Sequence, residues 1–310
     1  MQPAPFFEDI ARAPKGGIFE FRTCADGVRV RLACWKGGAK GTILIFQGRT
    51  EFIEKYGLTI QRFLDRGYSV ATVDWRGHGM SDRLTDRPTM GHVNSFKDYQ
   101  LDVAELLKFA EDHSLPTDFT LLGHSMGGAI GLRAIQGGLT VSRAIFSGPM
   151  WDIAVNSIGD RVIKLYCQTF GRYITRKKLV PTTNIRNASF VFGYEGNNLT
   201  NNKVEHDLRA EQLKAHPELE VGGPSIGWVN EALLDTQKLR SKPLPKIPTI
   251  CLMGTNETIV SQPAIYSVMD KWESGELVVF EGAQHEILIE TPDVVERAWD
   301  KIDQLLSTPV

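Results

Sequence analysis

Apolar and polar positions divide the first half of the chain into short strands and helix-spaced segments. Ile18 to Thr23 and Val28 to Trp35 are β-like runs separated by Ala25-Asp26-Gly27, a turn signal, and together they predict an antiparallel hairpin. Thr42 to Phe46 is apolar throughout, as expected of a strand covered on both faces. Phe52 to Arg66 then carries Ile53, Tyr56, Ile60, Phe63 and Leu64 at close to helical spacing, and Gly67 ends it. Tyr68 to Trp75 predicts the next strand. Phe96 to His113 predicts an amphipathic helix with Phe96, Tyr99, Val103, Leu106, Leu107 and Ala110 on one face. Asp118 to Leu122 reads as a strand, Ala129 to Ile135 as a helix rich in small residues, and Ser142 to Ser147 as another strand. Such alternation predicts an α/β fold: a mostly parallel, twisted sheet with helices on both faces.

The rhythm breaks between Met150 and Lys242. There the chain turns helical and polar, with an Asn-rich loop at Asn197 to Asn202 and scattered aromatics: Trp151, Tyr166, Phe170, Tyr173, Phe190, Phe192, Tyr194 and Trp228. This predicts an inserted helical cap over residues 150–242 on a core made of residues 1–149 and 243–310. The proline-rich stretch Lys242 to Pro248 is a stiff return, after which Pro248 to Met253 and Gly275 to Phe280 predict strands and Pro292 to Leu306 a closing helix. Neither an internal repeat nor a low-complexity tract occurs.

Composition narrows the possibilities. A chain of 310 residues, 42% hydrophobic and 23% charged, is ample for a large core, and a net charge of −2 without a basic block argues against a nucleic-acid partner. Cys24, Cys34, Cys167 and Cys251 are dispersed, which fits buried reduced thiols better than a zinc site or a disulfide framework. The first ten residues lack the basic start and apolar run of a secretory signal, and no stretch of about 18 apolar residues occurs. The expectation is a soluble cytoplasmic protein.

Candidate chemistry centres on Gly123-His124-Ser125-Met126-Gly127-Gly128, between a predicted strand and a predicted helix. Glycines flanking a serine at this spacing let a strand reverse into a helix with the serine at the apex, the nucleophile elbow. The bare pentapeptide fits an ordinary turn equally well, so Ser125 requires a base and an acid. Reacting groups of an open parallel sheet collect past the carboxyl ends of its strands. After the strand at 248–253 comes Gly254-Thr255-Asn256-Glu257, and after that at 275–280 comes Glu281-Gly282-Ala283-Gln284-His285. The order Ser125, Glu257, His285 is that of an α/β-hydrolase triad, with His285 as general base and Glu257 orienting it. Glu286 and Glu290 are alternative acids; Glu290 is expected to tether the loop and Glu286 to point elsewhere. The oxyanion donors expected are the backbone N–H groups of Met126 and Arg49, with Gly48 allowing close approach. His78, Asp74 and Asp82 are expected to shape their glycine loop by local hydrogen bonds. No metal or other cofactor is called for.

These residues give the chain a family resemblance. It resembles the monoacylglycerol lipase and lysophospholipase branch of the α/β-hydrolase superfamily through Gln47-Gly48-Arg49-Thr50-Glu51-Phe52-Ile53-Glu54-Lys55-Tyr56, Asp74-Trp75-Arg76-Gly77-His78-Gly79-Met80-Ser81, the elbow, and Gly282-Ala283-Gln284-His285-Glu286-Ile287-Leu288. His216-Pro217-Glu218 and Gly222 to Trp228 also look like that branch. It departs in having Gln47 where many relatives carry histidine, and Glu257 where they carry aspartate. The resemblance implies a serine hydrolase cleaving carboxylic esters of single-chain lipids, monoacylglycerol or lysophospholipid, through an acyl-enzyme on Ser125, in transient contact with a membrane surface. Gln47, Gly48, Trp151 and Trp228 are then expected around the substrate, and the Arg49 guanidinium suits a phosphate head group. Two other readings stay open. Glu195, Glu205, Asp207, Glu211 and Glu218 offer acids that an aminopeptidase would use to hold a substrate amine. A non-catalytic ligand-binding homologue on the same scaffold is the third.

Overall fold

The computed structural model describes residues 2–155, 158–169, 175–181, 183–187 and 193–308. A single nine-stranded sheet organises the chain: β1 (Gln2–Pro3), β2 (Ile18–Thr23), β3 (Arg29–Trp35), β4 (Thr42–Phe46), β5 (Ser69–Asp74), β6 (Phe119–His124), β7 (Arg143–Ser147), β8 (Thr249–Gly254) and β9 (Gly275–Phe280). Their spatial order is β1-β2-β3-β5-β4-β6-β7-β8-β9. The hairpin expected around Asp26 is β2–β3, paired antiparallel from Ile18↔Cys34 to Thr23↔Arg29. From β5 through β9 the pairing is parallel. The mostly parallel sheet with helices on both faces anticipated from the alternating pattern is therefore the observed one.

Period-two alternation sorts the strand residues onto two faces. Leu44, Phe46, Leu121, Phe146, Cys251 and Met253 join one core cluster, and Ile43, Ile45, Leu122, Ile145, Ile250 and Leu252 the other. On the first face lie α3 (Tyr99–Asp112), α4 (Met126–Gln136) and α8 (Gln262–Met269); on the second lie α2 (Gly57–Asp65) and α9 (Pro292–Ser307). Helix α1 (Glu8–Ala11) is a single turn near the amino terminus.

Between β7 and β8 run α5 (Ile158–Gln168), α6 (Lys203–Ala215), a 3-10 turn at Pro217–Leu219, and α7 (Ile226–Ser241). The Asn-rich loop fastens this segment to the chain after β9: Glu286 N–H donates to the Leu199 carbonyl at 2.7 Å, and Asn201 N–H to Glu290 Oε1 at 3.0 Å. Glu290 also accepts from Gln284 N–H at 2.8 Å, the tether expected of it. Trp228 is buried, whereas Phe170, Tyr173, Phe190 and Phe192 lie outside the described residues. Among the described residues no helix is long and apolar enough to cross a membrane, and all four cysteines are buried without disulfides.

β4 sits between β5 and β6, so the chain leaves β4 for one neighbour and later returns on the other side. A crevice opens at the carboxyl end of such a switch point, because the connecting loops there diverge to opposite faces. Gln47 to Thr50 leave β4 at that end, and Ser125 leaves β6.

Candidate active site

Ser125 follows β6 with φ 50° and ψ −117°, a strained backbone held by three bonds. Its N–H donates to the Ser147 carbonyl at 3.0 Å, and its own carbonyl accepts from Gly128 at 2.9 Å and Met150 at 2.8 Å. Helix α4 then passes so close to β4 that a Cβ on Gly127 would lie 1.9 Å from the Phe46 carbonyl oxygen. Only glycine fits there, which is the physical content of the elbow motif.

The loop after β4 is shaped from beneath. Gly48 N–H donates to Glu51 at 2.5 Å, and Thr50 adopts φ 64°. Arg49 N–H lies between these constraints, and Met126 occupies the first position of α4, where an N–H has no intrahelical acceptor. Neither N–H is donated to an acceptor among the described residues, which leaves both available to an oxyanion.

Glu257 and His285 come together at the ends of β8 and β9. His285 Nδ1 lies 2.5 Å from Glu257 Oε2, with the two side chains 4% and 0% exposed. The other carboxylate oxygen of Glu257 accepts from Ile259 and Val260 N–H at 2.6 and 3.0 Å. Burial would raise the Glu257 carboxyl; the His285 charge and those hydrogen bonds overcome it and hold it below its ordinary value. Burial likewise opposes a charged His285, and Glu257 reverses that, raising the imidazole above its usual value. The two shifts agree in favouring the imidazolium–carboxylate pair. Glu286, the neighbouring acid, bonds instead to Lys55 at 2.8 Å and Arg209 at 3.1 Å.

Ser125 and His285 line one cavity of about 440 Å³ with Gly48, Arg49 and Trp228, walled by apolar side chains such as Ile153, Val180 and Leu233. Gln47 and Trp151 do not line it, which corrects the expectation that they touch substrate. Gln47 turns its amide back into the sheet, donating to Thr72 Oγ1 at 3.1 Å, and its carbonyl accepts from Trp75 Nε1–H at 3.0 Å. Trp151 packs into the core against Phe146 and Trp272 at ring-centroid distances of 5.2 and 6.2 Å. The loop at Asp74 is structural as expected: the Asp74 carboxylate accepts from Ile53 and Met80 N–H at 2.9 and 2.8 Å, and His78 Nδ1–H donates to the Arg76 carbonyl at 3.2 Å.

Behind His285 lies a buried ionic group that the residue pattern did not reveal. Lys55 bonds to both Glu51 and Glu286, and Tyr56 donates its hydroxyl to Glu51 at 2.5 Å. Burial opposes charge on Glu51, but Lys55 and Arg209 outweigh it and keep the carboxyl ionised. Glu51, His124 and Glu286 place ligand-type atoms within 4.8 Å of one another, yet the cation among them is the Lys55 ammonium. His124 is pushed down to about 4, chiefly by burial, and stays neutral beside His285. The available signal was the i, i+4 spacing of Glu51 and Lys55 in the loop after β4.

Residues 37–292 match the family model described as serine aminopeptidase, S33. The chain is 30% identical over 266 residues to lysophospholipase L2 of Escherichia coli K12, covering 80% of this chain and 75% of the relative. It is 24% identical to monoglyceride lipase of Rattus norvegicus over 295 residues, covering 91% and 88%. Among solved structures it is similar to a soluble variant of monoglyceride lipase from Saccharomyces cerevisiae in complex with a substrate analog, with a TM-score of 0.72, 19% identity and coverage of 98% and 99%. That last likeness concerns the fold.

Proposed function

The chain belongs to the α/β-hydrolase family described as serine aminopeptidase, S33, and is a carboxylic ester hydrolase; from that premise we propose that Ser125, His285 and Glu257 carry out its chemistry on single-chain lipid esters, monoacylglycerol or lysophospholipid. The observation that carries the reading is the buried Glu257–His285 pair at 2.5 Å beside a largely apolar cavity that Ser125 also lines. Such a cavity suits an acyl chain, and residues 150–242 act as the cap that closes it over a core of residues 1–149 and 243–310.

The steps follow from the residues. His285 Nε2 takes the Ser125 hydroxyl proton as Oγ bonds to the ester carbonyl carbon, and Glu257 stabilises the imidazolium at Nδ1. The carbonyl oxygen becomes an anion and accepts from the Arg49 and Met126 N–H groups. Collapse breaks the bond to the alcohol oxygen, which leaves with the His285 proton. Water then adds to the acyl-enzyme by the same route, releasing the fatty acid and restoring Ser125.

An amine-binding reading has less support. None of Glu195, Glu205, Asp207, Glu211 and Glu218 lines the cavity, and Glu205 and Asp207 pair with Arg12 and Lys203. Four free thiols fit a reducing compartment, the cytoplasm. The test is a panel of p-nitrophenyl esters, monoacylglycerols, lysophospholipids and aminoacyl amides beside Ser125→Ala. Ester turnover that vanishes in the variant is expected; amide turnover without ester turnover would reverse the assignment. A serine-reactive phosphonate that still labels Ser125→Ala would remove Ser125 as nucleophile.

A further inference from the structure

Arg49 is an anomaly in the cavity wall. Buried cations are ordinarily paired with carboxylates, since an unpaired one loses hydration without recompense. Arg31 meets Glu54 and Asp74 at 2.7 Å each and Arg209 meets Glu286, while the buried Arg143, which has no carboxylate partner among the described residues, bonds through its Nε, Nη1 and Nη2 to the Leu305 carbonyl, the Ser142 hydroxyl and the Thr308 carbonyl. Among the described residues no carboxylate pairs with Arg49. Its guanidinium donates one Nη2 bond to the Gly222 carbonyl and lies 5.2 Å over the Trp228 ring, while its Nε is buried with no acceptor. Burial is the main effect pushing its pKa down to about 10, and the charge of Arg209 adds to it. The wall also carries Asp160, Lys164 and Arg186; Glu51 and Glu286 are both bound to Lys55, Arg209 takes Glu286 as well, and none of these carboxylates pairs with Arg49. Arg49 is thus a cation without a carboxylate partner among the described residues, and it lines the cavity that Ser125 lines.

We propose that the Arg49 guanidinium is an anion subsite that takes the phosphate oxygens of a lysophospholipid head group and so selects that ester over neutral monoacylglycerol. The inference rests on the reading of the site as a hydrolase of single-chain lipid esters. Chain lengths agree with it. From the Arg49 backbone nitrogen, the proposed oxyanion donor, to the guanidinium carbon is about six bonds, and in a 1-acyl lysophospholipid the ester carbonyl carbon and phosphorus are separated by about six as well. One residue thus supplies an N–H to the reacting carbonyl and a fork of donors to the phosphate. Phosphate at the guanidinium would supply the missing negative charge, whereas a glycerol hydroxyl would supply no charge.

The test compares kcat/KM for 1-palmitoyl lysophosphatidylethanolamine and 1-palmitoylglycerol in the wild type, Arg49→Met and Arg49→Lys, with thermal melts for folding. Whatever loss the two substrates share, the ratio of lysophospholipid to monoacylglycerol should fall about 10- to 100-fold in Arg49→Met. In Arg49→Lys, which keeps a charge but loses the fork, it should fall less. A ratio that stays within about twofold in both variants overturns the proposal. Calorimetric binding of the same lipids and of inorganic phosphate to Ser125→Ala, with and without Arg49→Met, reads the subsite without turnover. Lysophospholipid binding at least about tenfold weaker without Arg49 supports it. Equal binding, or Arg49-dependent binding of inorganic phosphate alone, refutes the head-group assignment. Should the wild type hydrolyse neither lipid, the lipid-ester reading falls, and the binding arm alone decides the subsite.

Discussion

Replacing Glu257 with glutamine keeps the shape of the pair and removes its charge. The carboxylate and imidazole are 2.5 Å apart and almost wholly buried, so water does little to screen them. Unit charges about 4 Å apart at an effective dielectric near 20 interact by about 4 kcal/mol, and breaking a buried pair costs a similar amount. That stabilisation is complete only when His285 carries the Ser125 proton, so its loss falls on the transition state and kcat should drop by about three powers of ten. The pH profile carries an independent sign. His285 works as a base in its neutral form, so activity fades as pH falls through the imidazole pKa, which Glu257 holds above its ordinary value. Without the carboxylate, burial dominates and lowers that pKa, so the acid limb of kcat/KM should move to lower pH even as the plateau falls. Steady-state hydrolysis of p-nitrophenyl butyrate between pH 4 and 9 measures both, and Glu257→Asp should restore the position of the limb. A loss in kcat below about tenfold together with an unmoved limb would refute Glu257 as the orienting acid.

Three further outcomes follow from the same geometry. Ser125→Gly should unfold at a higher guanidinium concentration than Ser125→Ala, because both lose the hydroxyl but only glycine relieves the backbone at φ 50°. Arg209→Met should lower the unfolding free energy in urea by about 3 kcal/mol, since it removes one cation from the buried Glu286 and two bonds to Thr50. Acid should destabilise the fold through Glu257 and Glu286, whose carboxyls lie below their ordinary value of 4.5. Their contribution is present above that value and disappears as pH falls through the lower folded pKa values, so Glu286→Gln should flatten the decline of the urea midpoint below pH 5.

What could be read in advance depended on whether a signal was local. The strands β4 and β8 announce themselves because each carries four consecutive apolar residues, Ile43 to Phe46 and Ile250 to Met253, and buried parallel strands have no polar face to interrupt the run. Ser125 was legible because Gly127 must let α4 pass Phe46, a requirement contained within one pentapeptide and its neighbouring strand. That Glu257 and His285 meet could be expected from their places after β8 and β9. By contrast, α8 went unread because its eight residues begin with Gln262-Pro263 and offer barely two turns of periodicity. Gln47 and Trp151 were misplaced as substrate contacts because position along the chain does not say which way a side chain turns. The former's amide is claimed by Thr72 and the latter's ring by Trp272, partners remote in sequence.

The group hidden most completely is the one that joins these parts. Arg209 comes from α6, far in sequence from the loops that follow β4 and β9, yet it donates to Thr50 O and Oγ1 at 3.2 and 2.7 Å and to Glu286 at 3.1 Å. Thr50 follows the proposed oxyanion donor and Glu286 follows His285, so a single guanidinium braces both loops from the segment above them. Lifting α6 off the core would therefore do more than uncover Ser125. It would leave Glu286 buried beside His285 with Lys55 as its remaining cation, a loss of several kcal/mol in a fold whose whole stability is of order ten. It would also release the loop that presents the Arg49 N–H. Access to the nucleophile that leaves α6 seated avoids both losses.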